Sequence, residues 1–183
     1  MSVALNIPQL ETERLILRAP RAADFEPESV FYASDEARFL GGPQEASATW
    51  RTLAVMIGHW VLRGYGFWAV EDKASGAYLG RVGLWNPMGW REEEISWALM
   101  PYAQGRGFAT EAAFAVRRHA YEVLGWQTAI SQISVENEPS KALARRMGAQ
   151  LETTYDVPDF GMMEVWRHLS PAAARKQDAE AAA

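Results

Sequence analysis

"EEISWALMPYAQGRGFATEAA", residues 93–113, is the stretch on which the fold turns. Over residues 93–100, Ile95, Trp97 and Leu99 alternate with Glu94, Ser96 and Ala98, the period of two that marks a strand with two chemically different faces. From about Gly107 to Leu124 small residues recur at helical spacing (Ala109, Ala112, Ala113, Ala115), so this helix can lie close against a sheet. Between strand and helix sits "QGRG", 104–107. Glycine costs conformational entropy, so two glycines directly before a helix need a reason. Either the turn is tight, or a ligand approaches the N–H groups that a helix start leaves free, where the macrodipole favours an anion.

The same reading extends in both directions. "RLILRAP" (14–20) predicts a strand ended by Pro20, and a polar segment with helical character follows to about Leu40. After "GGP" (41–43), Leu53, Met56, Ile57, Trp60 and Val61 predict an amphipathic helix over 44–63, stopped by Gly64. "GFWAVEDK" and "AYLGRVGLW" flank the turn "ASG" and predict a hairpin. Downstream, "TAISQISVE" (128–136) predicts a strand, "PSKALARRM" a short helix ended by Gly148, and "AQLETTYDV" with "MMEVWRHL" an antiparallel pair. The tail "PAAARKQDAEAAA" shows no apolar face, and residues 169–183 are expected to be frayed or disordered. The order β-α-α-β-β-β-α-β-α-β-β implies one α/β domain over residues 1–168, a mixed sheet of about seven strands with helices on both faces.

Composition excludes several classes. The chain has 183 residues, enough for one domain that buries roughly 70% of its unfolded surface. The net charge is −5 and the Lys and Arg residues are scattered, which argues against a nucleic-acid footprint. With no cysteine there is no disulfide and no thiol nucleophile, as suits a reducing compartment. The start, "MSVALNIPQLETERL", lacks the basic and apolar regions of a signal peptide, and the apolar runs are too short to span a bilayer. The expectation is a cytoplasmic protein with no membrane partner. Most of the eight Trp residues are expected to pack the core.

Motifs for other chemistries fail on context. "GYGFWA" (64–69) fits G-x-G-x-x-A but follows a helix and opens a strand, the reverse of a dinucleotide site. "GRGFAT" (105–110) has the right order but lacks the third small residue, and no acid lies near Ile130 to hold a ribose. Neither G-x-x-x-x-G-K-[ST] nor G-x-S-x-G occurs. His59, His119 and His168 are far apart, and no two share a helical turn with a carboxylate, so no metal is expected.

What remains is Gln104-x-x-Gly107-x-Ala109 on a strand–loop–helix unit. It is similar to the acetyl-CoA loop of the GNAT superfamily of N-acetyltransferases. The likeness runs over about residues 8 to 168. "ETERLILRAP" and "EISWALMPYAQGRGFATEA" resemble the branch that acetylates protein N-terminal amines, ribosomal proteins included. "VENEPSKALARRMGA" resembles the second cofactor element, an Asn after the fifth strand with a Ser three residues on. The resemblance implies a V-shaped sheet splayed between strands 4 and 5, and acetyl-CoA as co-substrate. It implies that Arg106, Gly107, Phe108, Ala109 and Thr110 bind the pyrophosphate through main-chain N–H groups while Gln104 sets the loop. Leu99 and Met100 would bond the pantetheine arm and the acetyl carbonyl, and Asn137 the pantetheine amide. The other partner would be an amine, on a protein N-terminus or a small molecule. A homodimer is compatible with this reading.

The chemistry needs a neutral amine, a stabilised oxyanion and a leaving thiolate. Glu94 is the candidate base, directly or through water; the competing reading makes "REEE" (91–94) a solvated edge. Many family members carry a Tyr seven residues after the Asn as acid, but here that position is Ala144. Ser140 is the natural substitute, and its bland alternative is a helix N-cap. Trp50 and Trp90 either wall the amine cleft or pack. Lys141, Arg145 and Arg146 either meet the nucleotide's extra phosphate or form a solvated helix face. A non-catalytic acyl-CoA-binding module is the alternative function, and a nucleotide-binding protein using the same glycines a third.

Overall fold

The computed structural model describes residues 6–158 and 160–181. Within them the strands are β1 (Leu10–Glu11), β2 (Leu15–Arg18), β3 (Phe67–Asp72), β4 (Tyr78–Trp85), β5 (Glu94–Leu99), β6 (Ile130–Ser134), β7 (Gln150–Val157) and β8 (Gly161–Arg167). The α-helices are α1 (Phe25–Tyr32), α2 (Ala46–Arg63), α3 (Phe108–Glu122), α4 (Glu138–Arg146) and α5 (Pro171–Ala181). One open sheet runs in the order β1-β2-β3-β4-β5-β6-β8-β7. Every neighbouring pair is antiparallel except β5–β6, which is parallel and holds a single register pair, Glu94 opposite Ile130. The splay expected between the fourth and fifth predicted strands is therefore present at this junction.

The alternation in β5 does what its period demands. Ile95 and Leu99 enter a buried cluster with Val82, Leu84 and the α3 residues Ala112, Ala113, Val116 and Ala120. Small side chains let α3 lie close to β4 and β5, which brings its first turn to the end of the splayed strand. Leu143 and Met147 join α4 to the same cluster. Among the tryptophans Trp60, Trp68 and Trp166 are buried, four are half-buried and Trp50 stands exposed.

Two expectations need correction. The sheet has eight strands rather than about seven, because Leu10–Glu11 forms a two-residue edge too short for any periodic signal. The tail does not fray over the described residues: α5 spans Pro171–Ala181, and only residues 182–183 lie outside them. It docks by polar contacts that a search for an apolar face passes over. Fully buried Arg117 donates from Nη1 to the Met147 carbonyl at 2.6 Å, and from Nη2 to Gln177 at 3.0 Å and Asp178 at 2.9 Å. Gln177 in turn donates to the Arg146 carbonyl at 3.0 Å, and Ala174 packs into the core.

Asp178 thus pairs a guanidinium that is fully buried. Removing one partner of a buried pair strands the other charge, at a cost of about 3–5 kcal/mol. Asp178→Ala should lower the urea midpoint accordingly, whereas Lys176→Ala, at an exposed pair, should leave it nearly unchanged. Equal midpoints for the two variants would mean that α5 does not dock.

Candidate active site

Where β5 and β6 part, side chains intercept the backbone groups that a continued ladder would use. The Ile130 N–H still reaches the Glu93 carbonyl at 2.9 Å. The next parallel step would bring the Gln132 N–H to the Ile95 carbonyl. Instead Ser131 Oγ donates to the Ile95 carbonyl at 2.5 Å, and the Gln132 N–H turns to Glu94 Oε1 at 3.4 Å. Buried His168 holds Ser131 in place through Nε2, 2.9 Å from Oγ. Because Ser131 gives its own proton to Ile95, Nε2 must carry the donor hydrogen; burial pushes this imidazole down to about 3, so it stays neutral.

The strands then enclose a cleft of about 800 Å³. Met100 N–H donates to the Leu79 carbonyl at 2.9 Å. Leu99, opposite Gly80, therefore sits in a non-hydrogen-bonded pair, and its N–H points away from β4 into the gap. By the same alternation so does the N–H of Trp97. Met100 does not fit its expected role: its carbonyl is taken by the Ala103 N–H at 2.8 Å, and its side chain is buried beside Phe31, Tyr32 and Ala37.

One half of the cleft lies against α3 and α4. Gln104 Nε2 donates to the Leu99 carbonyl at 2.9 Å, which ties the loop to the strand end. Gly107 is the residue before α3, with φ of 83°, a region that favours glycine. It carries no capping side chain, so the first-turn N–H groups of Phe108, Ala109 and Thr110 face the cleft wall that these residues line. Arg106 does not line the cleft; its guanidinium stacks on Phe108, 4.6 Å from the ring centre. Asn137 Oδ1 accepts from the Ser140 N–H at 3.2 Å, so Asn137 is the cap of α4 and its amide NH₂ is left to serve a ligand. The N-cap alternative for Ser140 is thereby corrected. Its hydroxyl lines the cleft and accepts from Trp97 Nε1 at 3.1 Å, which leaves the O–H proton to be donated.

The opposite half holds Phe31, Glu36, Arg38, Phe39 and Leu40 with the other face of β5. Glu94 belongs here, at the closed end of the V. It is 3% exposed, not a solvated edge, and burial pushes its carboxyl up to about 7 against the pull of Gln132 and Trp90 N–H donors. Trp90 Nε1 donates to Oε2 at 2.6 Å, so Trp90 holds the acid rather than walling the cleft. Trp50 is 54% exposed, packs edge-on against Phe25, and has no part in the cleft lining. At about 3.3 Å per residue, Trp97 lies about 10 Å along the strand from Glu94 and Leu99 about 16 Å.

Of the three cations considered for an extra phosphate, only Arg146 lines the cleft. Lys141 is buried and bound to the Val135 carbonyl at 2.7 Å and Glu138 at 2.5 Å; Arg145 lies over Trp166. The sequence reading passed over two positions. Trp97 offers a main-chain donor nearer the acid than Leu99 does. Arg14, on the far side of the chain, is fixed by Glu111 at 2.7 Å and by the Arg106 carbonyl at 3.1 Å, which sets a second cation beside the glycine loop. No local motif reports Arg14; only the position of β2 beside α3 does.

A tight, Cβ-free loop, free helix N–H groups and an arginine form a donor set that suits a pyrophosphate, and a strand edge with free N–H groups suits an amide-bearing arm. Comparison with known proteins agrees with that geometry. The acetyltransferase (GNAT) domain family matches residues 14–150. The uncharacterized N-acetyltransferase YoaA of Bacillus subtilis is 29% identical over 154 residues, 79% of this chain and 84% of that protein. An acetyltransferase crystal structure from Agrobacterium tumefaciens superposes with a TM-score of 0.83 at 32% identity, covering 92% of this chain and 98% of that one. A Vibrio cholerae chain provisionally assigned as a ribosomal-protein-serine acetyltransferase shares the fold, with a TM-score of 0.73 at 20% identity over 89% and 97% of the two chains. The protein is a member of the GNAT acetyltransferase family, an acyltransferase enzyme built on that family's split sheet.

Proposed function

We propose that the enzyme transfers the acetyl group of acetyl-CoA to a primary α-amine, of a protein N-terminus or a small molecule, by direct attack in a ternary complex. The observation that carries this is the meeting, in one cleft, of the Gly107–α3 donors, the free edge of β5 and the buried Glu94 carboxyl, which burial pushes up to about 7.

The first-turn N–H groups of α3 hold the pyrophosphate, with Arg14 adding positive charge beside the loop from outside the cleft lining. Leu99 and Asn137 bond the pantetheine arm. The Trp97 N–H then faces the acetyl carbonyl; one such oxyanion donor is worth about 2.7–4 kcal/mol. The amine nitrogen attacks the carbonyl carbon, Glu94 takes the amine proton directly or through a water, and the C–S bond breaks as Ser140 O–H bonds the departing sulfur. A thiol of pKa about 8.5 leaves easily, so the absence of Tyr at Ala144 costs little. An α-amine of pKa about 7.7–8.0 needs about 3.3–3.7 kcal/mol less than lysine, near 10.4, to be neutral, which suits a base near 7. The competing reading, a non-catalytic acyl-CoA-binding module, draws on Ala144, and steady thiol release with an acceptor excludes it.

The base must be ionised, so kcat/KM should fall as pH drops below about 7. Glu94→Gln should lower kcat/KM by about 10²–10⁴ with unblocked Ala- and Ser-initiated peptides as acceptors and remove the limb near 7, leaving only the limb of the acceptor's own α-amine at about 7.7–8.0. An unchanged limb near 7 in the variant assigns that titration elsewhere. For the donor site, a Cβ at Gly107 meets Arg14 Nη2 at 3.3 Å in a strained backbone region. Gly107→Val should weaken acetyl-CoA binding at least tenfold in calorimetry while circular dichroism stays that of the wild type; unchanged affinity would remove the loop from the donor site.

A further inference from the structure

Glu94 stands at the junction of β5 and β6, opposite Ile130, and its carboxylate oxygens are well supplied with donors. Oε2 accepts from Trp90 Nε1 at 2.6 Å and from Gln132 Nε2 at 2.9 Å, while Oε1 accepts from the Gln132 main-chain N–H at 3.4 Å. Gln132 therefore grips the carboxylate twice, once from its backbone and once from its side chain. A glutamine amide can face either way round, and its carbonyl end would repel a carboxylate. Tyr155, reaching over from β7, removes the ambiguity: its hydroxyl donates to Gln132 Oε1 and so turns Nε2 towards Glu94. Arg91 sits over the Tyr155 ring, 5.0 Å from its centre, and keeps the phenol in place.

Resting on Glu94 as the base, we propose that Gln132, Trp90 and Tyr155 are its positioning residues: Gln132 and Trp90 fix the direction of the carboxylate and support its charge, and Tyr155 sets the orientation of Gln132. Trp90 and Tyr155 lie outside the cleft lining, and the Gln132 side chain is engaged by Glu94 and Tyr155, so none of the three is assigned to the donor. They come from three separate pieces of chain, the 86–93 loop, β6 and β7, so no sequence motif joins them.

The physical case rests on where the hydrogens are. All the donors point at the carboxylate oxygens, and a hydrogen bond to a charged group stabilises the charged form. Burial acts in the opposite direction and is the larger effect, since the carboxyl stands above its ordinary value despite the donors. Without them it would stand higher and be protonated at neutral pH, useless as a base. The charged and titratable groups facing it from the packed elements are Tyr155, whose phenol is pushed upwards by burial and to a lesser degree by Glu94, and Arg91 behind it, which acts in the other sense on that phenol. The Tyr155 phenol, pushed upwards, stays neutral between pH 5 and 8.

The test reads the Glu94 carboxyl directly. Uniform labelling of glutamate with carboxyl ¹³C gives a signal that Glu94→Gln identifies by its loss, and its midpoint is followed from pH 5 to 9 without any ligand. Gln132→Met nearly keeps volume and Trp90→Phe keeps an aromatic ring, and each removes a donor; each should raise the midpoint by about one pH unit. Tyr155→Phe keeps the ring over which Arg91 sits and should raise it by less. In acetyl transfer to the same Ala-initiated peptide, the acid limb of kcat/KM should move up in step, with activity recovering towards pH 9 and the KM for acetyl-CoA unchanged. Midpoints equal to wild type in both Gln132→Met and Trp90→Phe would overturn the proposal. If those midpoints move while Glu94→Gln retains full activity, the positioning is right and Glu94 is not the base.

Discussion

The constraint on which the structure depends is that β5 and β6 pair once and then stop. Hydrogen bonding favours continuing a parallel ladder, because each further step satisfies a buried donor and acceptor. The chain prevents it by supplying substitutes: Ser131 satisfies the Ile95 carbonyl and Glu94 meets the Gln132 N–H. The sheet opens without orphaning those groups at its apex, and the next N–H groups of β5 face a space instead of a strand. Everything proposed about donor binding follows from that opening, and everything proposed about proton transfer from the acid that helps to make it.

Holding a carboxylate at such a junction is costly, and the surroundings show how the cost is divided. Burial lifts the Glu94 carboxyl to about 7, and donors from a loop and a neighbouring strand keep it from rising further. The result is a group poised near neutrality, as an amine-deprotonating base requires. The donor side follows a different logic. There the backbone is left bare at Gly107 and the charge is brought in by Arg14, the residue before β2, fixed by Glu111 one turn into α3. Docking of α5 through Arg117 secures the far end of the same helix and the end of α4, so the two elements that face the donor share one polar anchor.

Much of this was legible in the chain. The alternation of Ile95, Trp97 and Leu99 and the small residues of α3 are local patterns, and they located the strand, the loop and the helix. Gln104 and Gly107 could be placed because a turn and a helix start constrain neighbours only. Glu94 could be named but not distinguished from a solvated edge, since its burial is set by Trp90 and Gln132, one a loop residue and the other 38 positions away. Met100 was misjudged because the parity of N–H groups along β5 depends on its register with β4. Arg14 and α5 were missed for the same reason: ion pairs such as Arg14–Glu111 and Arg117–Asp178 join residues that no spacing relates.

Amide-resolved nuclear magnetic resonance during titration with acetyl-CoA tests the opened junction most directly. The account predicts that the N–H signals of Trp97, Leu99 and Phe108 to Thr110 move together and saturate with one affinity, while amides of β2 and β3 away from the loop stay still. Saturable shifts confined to another face of the sheet, or none at these five residues, would contradict it.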